Sequence, residues 1–234
     1  MEDILHHQSS KFDEDLGRLR SNVLKMGGLV ENQVATAIEA YGACDLAAIK
    51  EIVARDQEIN TLEIVIDDES TQLIARRQPT AVDLRLVFGI IKIVTDLERI
   101  GDEAKKMAKG VRRICEAGQS PTQFAPGIRH IAEAVLVMVR ESLDAFARLD
   151  SGLAAQVIEE DSGVDTEFKS IVRQLVTHMM EDPRTITTAM DVIWIARAIE
   201  RIGDHAKNVA EHVTFIVEGR DIRHRGKENA GGAA

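Results

Sequence analysis

Apolar residues recur every three or four positions along most of the chain. Ile90, Val94, Leu97, Gly101, Ala104 and Ala108 alternate spacings of four and three, and Ile199, Gly203, Ala206 and Ala210 do the same further on. That period puts each set on one stripe of a helix facing a core. Six helices are predicted, roughly Ser9–Ala43, Asp45–Arg77, Pro79–Ala117, Pro126–Leu149, Gly152–Glu181 and Pro183–Val217. Pro79 and Pro183 suit first-turn positions, where a missing N–H costs nothing, and Asp45 and Asp182 suit N-caps. The stretch 116–127 carries two prolines and two glycines and interrupts the helical pattern. Short connections favour antiparallel neighbours. The expected fold is all-α: two tandem antiparallel three-helix bundles at 9–117 and 127–217, a linker at 118–126 and a flexible tail at 218–234.

The two halves repeat each other. Glu98-Arg99-Ile100-Gly101-Asp102 recurs 102 residues on as Glu200-Arg201-Ile202-Gly203-Asp204, followed in both copies by Ala-Lys at the same spacing. The segment Asp56–Glu63 resembles Asp161–Phe168, with Ile59 and Val164 in register. Internal duplication is the simplest account of both.

Composition refines this picture. Aromatic residues are only 3%, which disfavours strand-rich folds. The net charge of -10 would repel nucleic acid and anionic membrane surfaces, although solubility alone explains it equally well. No run approaches the roughly 18 apolar residues of a membrane span, and Met1 to Ser10 offers no signal-peptide core. Cys44 and Cys115 show no metal-type or redox-type spacing and read as buried thiols of a cytosolic protein.

The repeated acids carry the candidate chemistry. Glu98 and Asp102 lie one turn apart on a shared face, at the edge of the apolar stripe, as do Glu200 and Asp204. Like charges so placed repel by roughly 0.2–0.5 kcal/mol, and something should offset this in both halves. A bound hard cation would do so, helped by second-helix acids Asp56, Glu63 and Asp67, and Glu160, Asp161 and Asp165. An ion-pair network with Arg99, Lys105, Arg201 and Lys207 would serve as well. The expected metal ligands are Glu98, Asp102, Glu200, Asp204, Asp56 and Asp161, with no catalytic residue. His205 reads as solvent-facing, because its counterpart is Glu103; Trp194 and the methionines after Met1 read as core packing. The charges of Arg76, Arg77, Asp83 and Arg85 surround a helix junction and suit either docking or an exposed helix start. There is no P-loop, dinucleotide fingerprint, HExxH, Glu-x-x-His or nucleophile motif.

Several strings together resemble the PhoU family. They are Ala75-Arg76-Arg77-Gln78-Pro79-Thr80-Ala81 with Asp83-Leu84-Arg85-Leu86, the run Asp96 to Asp102, Met26 to Glu31, Asp144 to Arg148, and Val172 to Leu175 followed by Met179 to Asp182. The resemblance runs from about Phe12 to Arg225. It implies a non-enzymatic cytoplasmic regulator of phosphate uptake, linking a phosphate ABC transporter to a sensor histidine kinase. It also implies a homodimer that reaches the membrane only through its partners. Divalent or iron-type metal ions at the repeated acidic motif are implied too, with a poorer second site because Asp96 has Ala198 as its counterpart. A metal-dependent phosphohydrolase using the acidic pairs is the alternative reading.

Overall fold

The computed structural model describes residues 2–119 and 125–221, with side chains described from residue 11 in the first span and from 126 in the second. The middle of the expected linker, and the expected tail beyond Asp221, lie outside these residues. Six α-helices make up almost all of the described chain: α1 (Glu2–Ala43), α2 (Leu46–Arg77), α3 (Ala81–Glu116), α4 (Ala125–Arg148), α5 (Ser151–Glu181) and α6 (Ile186–Glu218). No strand is present among the described residues.

Local chemistry sets most of the ends. Asp45 caps α2, its carboxylate accepting from the N–H groups of Ala47 at 2.9 Å and Ala48 at 3.1 Å. Gln78 ends α2 in the left-handed region at φ 46°. Asp150 caps α5 in the same way as Asp45 caps α2, accepting from Gly152 and Leu153. Two expectations need correction. Pro79 precedes α3 instead of opening it, and Thr80 is the N-cap, with its hydroxyl donating to Asp83 at 2.7 Å. Pro183 starts a short 3-10 turn, Pro183–Thr185, which Asp182 caps before α6 begins.

Helices α1, α2 and α3 pack against one another, and α4, α5 and α6 do likewise. The two bundles are not merely strung on a loop. Helix α3 lies antiparallel along α6, with Arg113 against Asp191 at one end and Gly89 against Ile216 at the other, and α1 also touches α4. One continuous apolar core runs through both halves. The stripe Ile90, Val94, Leu97, Ala104 and Ala108 is completely buried within it.

Cys44 and Cys115 are not free thiols. They form a disulfide, Cα to Cα 5.9 Å, tying the α1–α2 turn to the last turn of α3. They lie 71 residues apart in sequence, and only the three-helix packing brings them together. No helix among the described residues is long and apolar enough to cross a membrane.

Candidate functional site: two acidic ridges

Each ridge is built around a helical glycine. A Cβ on Gly101 would stand 3.2 Å from Ile59 Cδ1, and one on Gly203 would stand 3.3 Å from Val135 and 3.5 Å from Val164. Ile59 and Val164, the register pair of the duplication, therefore do the same job in the two halves. The close approach is made by side chains, from α2 in the first half and from α4 and α5 in the second, and not by backbone. It brings acids of α2 beside those of α3, and acids of α5 beside those of α6.

On the first ridge, the Lys105 ammonium bridges Asp56, at 2.5 Å, and Asp102, at 2.8 Å. On the second, Lys207 reaches Asp161 at 2.6 Å. These two lysines and two aspartates are equivalent positions of the repeat. Burial pushes the Glu98 carboxyl up from its ordinary range, and the charges of Asp102 and Asp56 push it further. Burial also raises Glu63, with added repulsion from Glu98, Asp67 and Asp102, and it raises Asp67. In the second half, burial and then Asp204 raise Glu200, while burial, Asp161 and Asp165 raise Asp204. The expected acids thus gather in two groups, with one exception. Glu160 is raised by burial and then by the charge of Glu141 on α4.

Two ridge oxygens are buried without a hydrogen-bond partner, Asp56 Oδ1 and Glu200 Oε2. An all-carboxylate donor set suits a hard cation, and an orphaned anionic oxygen suits it further. Among the described residues, however, no three His, Cys, Asp or Glu side chains converge into a ready coordination shell. The lysines hold the carboxylates as ion pairs instead.

Asp96 belongs to neither ridge. It is buried in the α3–α6 seam, where it meets His205 Nδ1 at 2.9 Å and His212 Nε2 at 3.2 Å and accepts from Asn208 Nδ2 at 3.2 Å. Burial alone would raise its pKa. The hydrogen bonds from His205, His212 and Asn208, with the charge of His212, outweigh burial and bring it down to about 2. His205 is therefore a partner across the seam and not a solvent-facing residue. The sequence signal was the break in the repeat at Asp96 and Ala198. It marks an asymmetric seam, not a missing ridge ligand.

Packing expectations also fail at Trp194, which is 62% exposed, and at Met180 and Met190, both exposed. Met26, Met107 and Met138 are core residues as expected, and Met179 is partly buried against the core. Near the helix junction Arg77 pairs with Asp15 of α1 at 3.1 Å, which ties that corner to the bundle.

A family model described as PhoU domain matches residues 23–111 and 128–213, one copy in each half. The chain is 48% identical over 225 residues to a phosphate-specific transport system accessory protein PhoU homolog of Pseudomonas putida, covering 96% of this chain and 88% of that one. It is 40% identical over 220 residues to the accessory protein PhoU of Escherichia coli K12, covering 94% and 90%. Two crystal structures share the architecture. PhoU from Pseudomonas aeruginosa superposes with TM-score 0.87 at 48% identity, over 89% of this chain and all of that one. The phosphate transport system regulatory protein PhoU from Streptococcus pneumoniae gives 0.82 at 25% identity, over 90% and 99%. With a domain copy on each half and the same fold in these relatives, the chain belongs to the PhoU family.

Proposed function

We propose that this chain is a non-enzymatic accessory protein of phosphate transport. It restrains uptake and phosphate-starvation signalling by linking a phosphate ABC transporter to a sensor histidine kinase at the cytoplasmic face. The observation that carries this is 48% identity across 96% of the chain with a protein named as an accessory of phosphate-specific transport. The physical form supports it: long helices, ion-paired acidic ridges and broad exposed faces suit docking and homodimer formation. Deleting the gene should derepress a phosphate-starvation reporter in phosphate-rich medium, and complementation should restore repression. A reporter unmoved by deletion would overturn the reading.

The ridges are proposed to take divalent or iron-type cations, with Glu98, Asp102 and Asp56 at one and Glu200, Asp204 and Asp161 at the other. Lys105 and Lys207 hold the carboxylates in place and would swing aside. The cation would neutralise the acids and stiffen the contact of each second helix with its third. On this reading metal-loaded protein turns over no phosphate ester or anhydride; turnover across a substrate panel would favour a hydrolase instead.

A further inference from the structure

The α3–α6 seam has two sides related by the duplication, and they differ. On one side Asp96 meets His205, Asn208 and His212, and Lys92 lies over the Phe215 ring at 5.6 Å. The positions 102 residues away in the repeat compose the other side: Ala198 for Asp96, Glu103 for His205, Lys106 for Asn208, Gly110 for His212, Trp194 for Lys92 and Arg113 for Phe215. The first side is filled by a buried polar network. On the second, the small Ala198 leaves a groove of about 490 Å³.

The groove's walls are cationic, although the chain carries a net charge of -10. Lys106, Lys109 and Arg113 descend α3 at helical spacing, and Arg197 and Arg201 face them from α6, with Trp194 at one end. Four of these five cations are ion-paired, though at half-exposed positions: Glu103 takes Lys106 and Arg201, Asp191 takes Arg113, and Glu200 takes Arg197. Lys109 has no ion-pair partner among the described residues. Ile186, Met190 and Trp194, each one turn from the next along α6, are all exposed and continue the groove as an apolar strip.

We propose that this groove docks an acidic amphipathic helix of a partner protein. From Lys106 to Arg113 the cations span about 10 Å, two turns of a guest helix. Carboxylates on one edge of that helix would lie along both rows of cations, and its apolar edge would cover Trp194, Met190 and Ile186. Exposed Trp and Arg side by side are the side chains that most often carry interface energy. The proposal rests on the adaptor reading only in taking the occupant to be another protein.

Trp194 is the sole tryptophan, so its emission reports on the groove directly. The probe is a labelled peptide of about 20 residues, with leucines at helical i, i+3, i+7 spacing and glutamates flanking them. Titrated into the full chain, it should shift the Trp194 emission to the blue and bind saturably, with affinity falling as salt rises. In anisotropy measurements, Lys106→Glu/Lys109→Glu should weaken binding at least about tenfold, and Trp194→Ala by a similar factor, with circular dichroism unchanged. Equal binding of a lysine-for-glutamate peptide would overturn the proposal. So would the absence of any emission shift, or ATP displacing the peptide with the same shift, which would make the groove a small-anion site. Because binding is read on purified protein, its failure leaves the deletion phenotype standing, and loss of that phenotype leaves peptide binding standing.

Discussion

Asp96 on α3 and His212 on α6 meet at 3.2 Å inside the seam between the two halves, both less than a tenth exposed. His205 and Asn208 complete the carboxylate's shell from the same helix. A buried carboxylate with one partner removed is costly, so this cluster makes the two bundles interdependent.

The cluster should give the fold an acid edge. The Asp96 pKa is lowered from 3.8 to about 2, so its contribution is present above the unfolded pKa and is lost as pH falls from about 4 towards 2. The shift corresponds to roughly 2 kcal/mol. Asp96→Asn should lower stability at pH 7 and flatten the loss below pH 4 in denaturant titrations. An unchanged acid limb would show that Asp96 does not set it.

Reducing the Cys44–Cys115 bond should lower stability without changing the helical signal. Closing a loop of this length constrains the unfolded chain by up to about 4 kcal/mol. Thermal melts with and without reductant should differ by several degrees, and thiol titration of the denatured protein should find two thiols only after reduction. Two thiols without reductant would show the bond open under the conditions of isolation. A disulfide is unusual in a cytosolic protein, so this measurement also bears on where the chain works.

Neutralising Glu98 on the first ridge should stabilise the metal-free protein slightly and abolish its response to metal. The Glu98 pKa is raised by burial and then by Asp102 and Asp56, so its penalty is absent below the unfolded pKa and appears as pH rises through the folded one. Glu98→Gln, with Asp102 kept because it pairs with Lys105, should therefore raise the Tm in chelator at pH 7, by a relief of roughly 0.2–0.5 kcal/mol. The same variant should lose metal in elemental analysis. Metal content equal to that of the parent would leave the ridge as an ion-pair network alone.

Gly101→Ala tests the contact that builds the ridge. Helix propensity favours alanine by about 1 kcal/mol, but the new Cβ would press on Ile59 Cδ1 at 3.2 Å. A net loss of about 1 kcal/mol is expected, reversed when Ile59→Val is added. Stabilisation by Gly101→Ala alone would show that Ile59 yields freely.

What was legible in the sequence was what depends on neighbours along one helix. The period of Ile90 to Ala108 declared the buried stripe. Asp45 beside its own first turn declared a cap, and the five-residue repeat declared two equivalent halves whose acids gather on ridges. These follow from a 3.6-residue turn and from hydrogen bonds that reach two or three residues, and both are local.

What depended on how one repeat lies against the other could be settled only by the tertiary structure. Nothing along the chain says that α3 runs antiparallel to α6, so nothing there could place His205 and His212 on Asp96; nor does it say how α3 packs within its own bundle, which is what joins Cys44 to Cys115. Trp194 sits in an apolar stretch and still faces outwards, because its stripe points past α3 and not into the core. Burial is a property of the assembled surface, and a helix carries only the period, not the identity of the helix that will cover it.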